Sequence, residues 1–169
     1  GQKMAAFLKE IGGGSSLGDG TQLAINDCKM GDASQQWNIT PDPSTGTFFL
    51  KNVQSGRCFD ENAGNTSSGL VMQIWDCNGS PAQHWEYSGG QLKIYGNYGK
   101  CLDADANGGG SNGTKIQLWA CNGGGNQQWI AEPNGSLRSA AYGRCLDVNG
   151  GGTANGTQLQ LWDCHAVAV

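Results

Sequence analysis

Three tryptophans stand at the same position of a repeated phrase, and an aspartate stands a short way before each. The tryptophans are Trp75, Trp119 and Trp162, and the aspartates are Asp60, Asp103 and Asp147. Residues 158–164 alternate with period two, so Leu159 and Leu161 share one face of a strand while Trp162 lies on the other. The leucines require the core, which predicts that the tryptophan faces solvent. An exposed indole stacks well on the C–H face of a pyranose, and a neighbouring carboxylate can accept its hydroxyl groups.

The same alternation assigns faces in every copy of the phrase. The inward pairs are Met72 and Ile74, Ile116 and Leu118, and Leu159 and Leu161. The outward pairs are Gln73 and Trp75, Gln117 and Trp119, and Gln160 and Trp162. A further copy at 20–28 keeps Leu23 and Ile25 inward but has Ala24 and Asn26 outward, so it lacks the aromatic ring. The alternative interpretation is that the tryptophans lie under neighbouring loops and that the aspartates cap turns.

Three phrases recur with a period of about 44 residues. The first ends at Cys28, Cys77, Cys121 and Cys164, the second is Gly-x-Cys-(Leu/Phe)-Asp at Cys58, Cys101 and Cys145, and the third is Gln-x-Trp. Gln-x-Trp occurs at Gln35 and Trp37, at Gln83 and Trp85, and at Gln127 and Trp129, and its tryptophans are predicted to anchor the core. A single domain over 1–169 is expected, with repeats near 1–46 (degenerate), 47–90, 91–134 and 135–169 (incomplete).

Short apolar runs broken by Gly, Asn and Asp every eight to twelve residues predict an all-β fold of many short strands. Residues 4–11 are the exception. They are compatible either with a helical turn or with a degenerate strand in which Phe7 and Leu8 align with Cys145 and Leu146.

The cysteines predict three similar disulfides, one in each of the later repeats. Cys58 and Cys77, Cys101 and Cys121, and Cys145 and Cys164 are 19, 20 and 19 residues apart. Such disulfides indicate an oxidising compartment and a secreted protein. A zinc site is disfavoured, because there is no C-x-x-C pair and the chain has 2 His. Cys28 is left over, either as a free buried thiol or as an intermolecular link.

Composition excludes several classes of protein. A chain of 169 residues suits one domain, and 29 glycines with 6 tryptophans indicate a turn-rich fold with aromatic anchors. The net charge of −4 without a basic cluster argues against nucleic acid as the partner. No run of 18 apolar residues occurs, and the chain opens at Gly1 without a signal-peptide pattern, so we expect a soluble, already processed protein with no membrane insertion.

The order C-L-D, then Q-L-W-D-C, then Q-Q-W resembles the ricin-type β-trefoil lectins, including carbohydrate-binding module family 13, over roughly residues 20–169. The resemblance implies a β-trefoil of twelve strands in three pseudo-symmetric units, with one sugar site per unit for galactose- or xylan-type ligands. An arabinan-type ligand would suit an aromatic residue with an Asp equally well. The resemblance also implies a site made of the Asp, the Gln and aromatic residue of Q-L-W, and an Asn before the Gln of Gln-x-Trp. Repeat three matches throughout, with Asp103, Gln117, Trp119, Asn126 and Gln127.

The other repeats match the implied site less completely. Repeat two has Asp60, Gln73, Trp75 and Gln83, but Ala82 replaces the Asn and a weaker site is expected. Repeat four has Asp147, Gln160 and Trp162 and then ends before any Gln-x-Trp. Repeat one has no such Asp and is expected to bind no sugar.

The number of repeats exceeds the three units of a trefoil, which leaves two ways to close the barrel. Either repeats one to three form it and 135–169 is an appendage, or residues 35–50 supply the missing strands of repeat four in a permuted barrel. The second is favoured, since it uses all three disulfides and all three Gln-x-Trp anchors, and it leaves an extra partial repeat at one end.

Catalytic and metal chemistry finds little support. D-A-D-A-N-G at 103–108 resembles a calcium loop, but Thr114 stands where its final Glu belongs. The acids placed by the repeat lie on separate units, so no pair suited to glycoside hydrolysis is visible. We therefore expect a multivalent, non-catalytic carbohydrate-binding module with no cofactor, linked in some contexts to a glycoside hydrolase catalytic domain. The alternative is a β-trefoil protease inhibitor or another protein-binding module that acts through a loop.

Overall fold

The computed structural model describes residues 32–64 and 66–165. Expectations for Cys28, for Phe7 and Leu8, and for the phrase at 20–28 lie outside the described residues. Within them the chain forms strands and short 3-10 turns, without an α-helix. None of the helical segments there is long and apolar enough to cross a membrane.

Twelve strands are present in the described residues, as the resemblance implies. They are β1 (Trp37–Asp42), β2 (Thr47–Asn52), β3 (Cys58–Glu61), β4 (Leu70–Trp75), β5 (Trp85–Ser88), β6 (Gln91–Ile94), β7 (Lys100–Ala104), β8 (Ile116–Ala120), β9 (Trp129–Ala131), β10 (Leu137–Ser139), β11 (Cys145–Val148) and β12 (Leu159–Trp162). The 3-10 turns span Ala33–Gln35, Asn62–Gly64, Pro81–Gln83, Ala106–Gly108, Gly125–Gln127 and Asn149–Gly151.

The strands are arranged in three similar units. The hairpins β3–β4, β7–β8 and β11–β12 pair antiparallel, and β4, β8 and β12 approach one another through the β4–β8 pairing and the bridges Gln73↔Gln158 and Lys115↔Gln160. The hairpins β5–β6, β9–β10 and β1–β2 form the second half of each unit. This arrangement is the predicted all-β trefoil.

The last unit is completed by residues from the beginning of the described chain. Trp37 donates its backbone N–H to Gly135 at 2.9 Å, as Trp129 does to Gly90 at 2.8 Å. The indole of Trp37 donates to the carbonyl of Leu146, at the start of the last unit, at 3.4 Å. The structure therefore shows the permuted closure, and the alternative in which 135–169 is an appendage is wrong.

The core follows the predicted alternation. The inward pairs of β4, β8 and β12 are all buried, and so are the Gln-x-Trp tryptophans Trp37, Trp85 and Trp129. The indole of Trp129 donates to the carbonyl of Leu102 at 3.1 Å, which links the third Gln-x-Trp to the C-L-D strand of its own unit. The prediction that these tryptophans are core anchors is confirmed.

All three predicted disulfides are present. Cys58–Cys77, Cys101–Cys121 and Cys145–Cys164 each join the first strand of a hairpin to the residues that follow its second strand. Each bridge therefore fixes the end of the strand that carries an exposed tryptophan.

Candidate functional site

Strand register brings the site residues together on one face of each hairpin. Between β7 and β8, Asp103 pairs with Gln117 and Cys101 pairs with Trp119. Because side chains two residues apart share a face, all four lie on the same side of the hairpin. The same register relates Asp60 to Gln73 in β3–β4 and Asp147 to Gln160 in β11–β12.

In the third repeat the structure unites every residue expected for the site. Gln117 Nε2 donates to Asp103 Oδ1 at 3.0 Å, while Gln127 Nε2 and Asn126 Nδ2 both donate to Asp103 Oδ2 at 2.9 Å. Asn126 also donates to the carbonyl of Ala104 at 3.0 Å. The carboxylate thus has three amide donors around it and is 2% exposed.

Gln127 holds this arrangement together, and we call a glutamine in this position the brace glutamine. Its Nε2 donates to the carbonyl of Ala120 at 2.9 Å as well as to Asp103, and its Oε1 accepts the backbone N–H of Asn122 at 2.9 Å. These bonds tie the 3-10 turn to the segment that follows β8. Replacing this buried amide would leave several polar groups without a partner, which is costly. Because Gln127 is itself held by the backbone, its bond to Asp103 fixes the position of the carboxylate.

The other two units keep an equivalent brace glutamine but have no counterpart of Asn126. Asp60 accepts from Gln73 at 2.8 Å and from Gln83 at 2.9 Å, and Ala82 supplies no third donor. Asp147 accepts from Gln160 at 2.9 Å and from Gln35 at 2.9 Å.

Gln35 is the site residue that the repeat-by-repeat assignment of the sequence missed. Ser34 stands where Asn126 does in the complete unit, but its hydroxyl donates to Asp32 at 2.7 Å rather than to Asp147. The available signal was a Gln-x-Trp at Gln35 and Trp37 with no Cys-x-Asp in its own repeat.

The three outward tryptophans are exposed, as the alternation predicts. Trp75, Trp119 and Trp162 are 40%, 41% and 37% exposed. Their outward glutamine neighbours differ from expectation, because Gln73 and Gln117 are buried and Gln160 is half-buried. The physical reason is that each amide turns to the buried carboxylate, where it satisfies a charge that would otherwise be desolvated without a partner.

Two of the exposed rings lie next to a glycine of the neighbouring unit. A Cβ built on Gly69 would lie 3.5 Å from Trp119 Cζ3, and the Gly69 N–H donates to the carbonyl of Leu118 at 2.8 Å. Gly156 stands in the same relation to Trp75, with a corresponding distance of 3.8 Å. The neighbouring turn therefore comes close to the edge of each of these two rings, and a large part of both indoles remains in solvent.

The carboxylates are less open than the sequence suggested. We expected each to accept two sugar hydroxyls, but both oxygens of each aspartate already accept side-chain amides. A carboxylate has about four lone-pair sites, and Asp103 Oδ1 accepts one bond within this network. One further acceptor position remains on that oxygen.

Burial also acts on the charge of one aspartate. Desolvation raises the pKa of Asp60 above its ordinary value of 3.8, although the amide hydrogen bonds from Gln73 and Gln83 oppose the shift. The neutral form of this carboxyl is thus stabilised by its surroundings.

The segment that resembles a calcium loop is a turn. Asp105 accepts the backbone N–H of Asn107 at 3.0 Å and so caps the 3-10 turn that follows β7. Over residues 32–64 and 66–165, no group of three or more His, Cys, Asp or Glu is placed to hold a metal ion.

Comparison with known proteins identifies a family. The family model for the Ricin-type beta-trefoil lectin domain matches residues 46–168. Among solved structures, the designed three-fold symmetric protein ThreeFoil is 26% identical with a TM-score of 0.62, over 69% of this chain and 89% of that one.

Two natural proteins show the same fold. The C-half of the earthworm R-type lectin, solved in complex with GalNAc, is 19% identical with a TM-score of 0.59, over 69% of this chain and 88% of that one. The exo-beta-1,3-galactanase 1,3Gal43A from Clostridium thermocellum is 27% identical with a TM-score of 0.59. That match covers 78% of this chain and 32% of the galactanase, so the similarity spans about a third of that enzyme.

Proposed function

The chain belongs to the ricin-type beta-trefoil lectin family, and from this premise we propose that it binds carbohydrate at the three exposed tryptophans without catalysing a reaction. The observation that carries the proposal is the recurrence of the same constellation in all three units. A half-exposed indole stands beside a buried aspartate held by side-chain amides each time. A core needs no exposed tryptophan, so three equivalent ones indicate a shared ligand.

Each part of the constellation has a distinct role in binding. The indole face stacks on the apolar face of a pyranose and supplies most of the contact area. The aspartate accepts a sugar hydroxyl at its remaining lone pair, and the glutamine of the same strand supplies a second acceptor through its amide oxygen. The brace glutamines Gln83, Gln127 and Gln35 fix the carboxylate and do not touch the sugar.

The three sites are expected to differ in strength. The Trp119 site has Asn126 as an additional donor that orients Asp103, whereas the Trp75 and Trp162 sites lack it. Shallow single sites of this kind bind with a Kd of roughly millimolar, or about −4 kcal/mol. Useful affinity then requires two or three sites on one polymer, which raises avidity by about a hundredfold or more.

The ligand is proposed to be a galactose-, xylan- or arabinan-type sugar, since each presents an apolar ring face with adjacent hydroxyls. The solved complex of the earthworm lectin with GalNAc supports the first of these classes. The three disulfides support a secreted, extracellular location. The galactanase similarity supports a covalently linked glycoside hydrolase catalytic domain as a partner.

A titration of the full chain followed by NMR tests the proposal at each site separately. The ligands are galactose, lactose, xylan fragments and arabinan fragments, and the readout is the indole N–H resonance of each tryptophan. Trp119→Ala is expected to remove binding at the third repeat and leave shifts at Trp75 and Trp162.

Asp103→Asn is the sharper variant, because it separates binding from structure. An asparagine Oδ1 can still accept from Asn126 and Gln127, and its Nδ2 can donate to a flipped Gln117 amide, so the fold is retained. The acceptor offered to the sugar becomes a donor, so binding at Trp119 is expected to weaken at least tenfold. If no sugar shifts any of the three resonances in the folded, oxidised protein, the proposal is wrong and a protein ligand becomes the better hypothesis.

A further inference from the structure

The three exposed tryptophans are flanked by three equivalent polar clusters at the junctions between units. Each cluster combines a basic residue before the first cysteine of a hairpin, the residue after the tryptophan, and a turn residue from the neighbouring unit. The members are Arg57, Asp76 and Asn155; Lys100, Ala120 and Ser68; and Arg144, Asp163 and Asn112.

Two of these clusters are electrically balanced. Arg144 Nε lies 3.0 Å from Asp163 Oδ1 and donates to Asn112 Oδ1 at 2.9 Å, and Asn112 Nδ2 donates back to Asp163 Oδ2 at 2.9 Å. In the cluster beside Trp75, Arg57 Nε lies 3.5 Å from Asp76 Oδ1. At both junctions the positive charge is matched by the carboxylate that follows the tryptophan.

The third cluster contains a cation but no carboxylate. Lys100 pairs in register with Ala120, which stands where the other units have aspartate. Its ammonium donates to the hydroxyl of Ser68 at 2.7 Å. Among the residues that the structure describes, no carboxylate lies within 4.0 Å of this ammonium.

Lys100 and Trp119 both approach the same turn of the neighbouring unit. Ser68, which accepts a hydrogen bond from the ammonium, immediately precedes Gly69, and a Cβ built on Gly69 would lie 3.5 Å from Trp119 Cζ3. A sugar stacked on Trp119 whose substituents extend over this turn would meet a positive charge. The protein as a whole carries a formal charge of −4, so this local charge is not part of a general basic surface.

We infer that the Trp119 site prefers an acidic sugar, in which a carboxylate or a sulfate ester on the pyranose meets the ammonium of Lys100. The inference rests on the proposed function and adds the class of ligand to one of its sites. The Trp75 and Trp162 sites, whose arginines are matched by Asp76 and Asp163, are expected to show no such preference. An exposed charge pair of this kind strengthens binding by about two- to fivefold.

The experiment compares acidic and neutral sugars of matched shape on the full chain. The probes are galactose, galacturonic acid and galactose 6-sulfate, together with xylose and glucuronic acid, and the indole resonances of Trp75, Trp119 and Trp162 report each site. The expected result is a two- to fivefold tighter Kd for acidic sugars at Trp119 alone, which diminishes at about 1 M salt, where the Debye length is about 3 Å. A preference for sulfate over carboxylate, or the reverse, identifies the source of the anion.

Two substitutions exchange the charge balance of two clusters, by adding a carboxylate beside Lys100 and by removing the one beside Arg144. Ala120→Asp restores the missing carboxylate and is expected to abolish the acidic preference at Trp119 while neutral sugars still bind. Asp163→Ala removes the carboxylate opposite Arg144 and is expected to create the preference at Trp162.

The outcomes separate the two proposals. Equal Kd values for acidic and neutral sugars at Trp119, with neutral binding intact, would overturn the inference and leave the proposed function standing. An acidic preference that survives Ala120→Asp would also overturn it, because the charge of Lys100 would then not be the cause. Absence of binding by any sugar at Trp119 would overturn the inference, and absence of binding at all three tryptophans would overturn the proposed function as well.

Discussion

Gln35 Nε2 donates a hydrogen bond to Asp147 Oδ2 at 2.9 Å, although the two residues are 112 positions apart in the chain. The same amide donates to the carbonyl of Asp163 at 2.9 Å and accepts the N–H of His165 at 2.9 Å. These are the contacts that Gln127 makes within its own unit. A glutamine near the start of the described chain therefore closes the last unit of the trefoil and completes the amide donors around Asp147.

Gln35→Ala is expected to destabilise the whole domain, although it lies outside any complete repeat. The change leaves a buried carboxylate, a carbonyl and an N–H without this partner, which costs about 1–3 kcal/mol in the free energy of unfolding. Urea denaturation followed by tryptophan fluorescence measures the loss.

Two further substitutions serve as comparisons for Gln35→Ala. Gln127→Ala is the matched variant and is expected to cost a similar amount, whereas Gln54→Ala, at an exposed position, is expected to change stability by less than about 0.5 kcal/mol. A Gln35→Ala chain as stable as Gln54→Ala would show that the permuted closure does not stabilise the fold.

Trp119→Ala and Trp129→Ala are expected to affect different properties of the same unit. Trp129 is buried and bonded to the carbonyl of Leu102, so its removal leaves a cavity that costs about 3–5 kcal/mol. Trp119 is 41% exposed, so its removal is expected to cost about 1 kcal/mol or less while abolishing sugar binding at that site.

Chemical denaturation and NMR titration of both variants provide the measurement. Trp119→Phe serves as control, since a smaller aromatic ring retains part of the stacking and should bind more weakly than the parent chain. A loss of stability in Trp119→Ala equal to that of Trp129→Ala would contradict the separation of roles.

The sequence predicted the parts of the fold that depend on local repetition. Alternation places Leu159 and Leu161 in the core and Trp162 outside because strand geometry alone decides it. The disulfides follow for the same reason, since equal cysteine spacing in each repeat leaves one consistent pairing.

The features that escaped sequence reasoning depend on contacts between distant segments. Burial of Asp103 could not be read from its hairpin, because the amides of Asn126 and Gln127 arrive from the next strand connection. The position of the Lys100 charge escaped too, because Lys100 meets Ser68 only when two units pack together.

Removing the disulfide of the third repeat is expected to lower stability substantially. Cys101 and Cys121 close a loop with a sequence separation of 20, and in the chain-entropy model such a loop contributes about 3 kcal/mol. The double variant Cys101→Ser and Cys121→Ser is compared with the parent chain by urea denaturation without reductant.

The equivalent double variant at Cys145 and Cys164, with a separation of 19, should lose a similar amount. Because each bridge fixes the end of a tryptophan-bearing strand, sugar binding at the affected site is expected to weaken as well. Unchanged stability in both double variants would show that hydrogen bonding between strands suffices to hold the hairpins.

Asp60 is expected to give the protein an unusual dependence of stability on pH. Burial raises its pKa in the folded state above the ordinary 3.8, so the folded protein holds this proton more tightly than the unfolded chain does. The contribution of Asp60 to the free energy of unfolding is therefore greatest below about pH 3.8 and falls as pH rises through its folded-state pKa. Relative to the non-titrating variant Asp60→Asn, the parent chain should lose stability as pH increases across this range.

Asp42 provides a control of opposite sign. Hydrogen bonds from the hydroxyl and the N–H of Ser44 lower the pKa of Asp42, so its stabilising contribution is present above pH 3.8 and disappears as pH falls. The difference in free energy of unfolding between parent and Asp42→Asn should therefore grow with pH, while the difference for Asp60→Asn declines. Urea denaturation from pH 3 to pH 7 measures both slopes. Parallel slopes would mean that the amides of Gln73 and Gln83 outweigh the burial of Asp60, and that its charged form is the one the fold prefers.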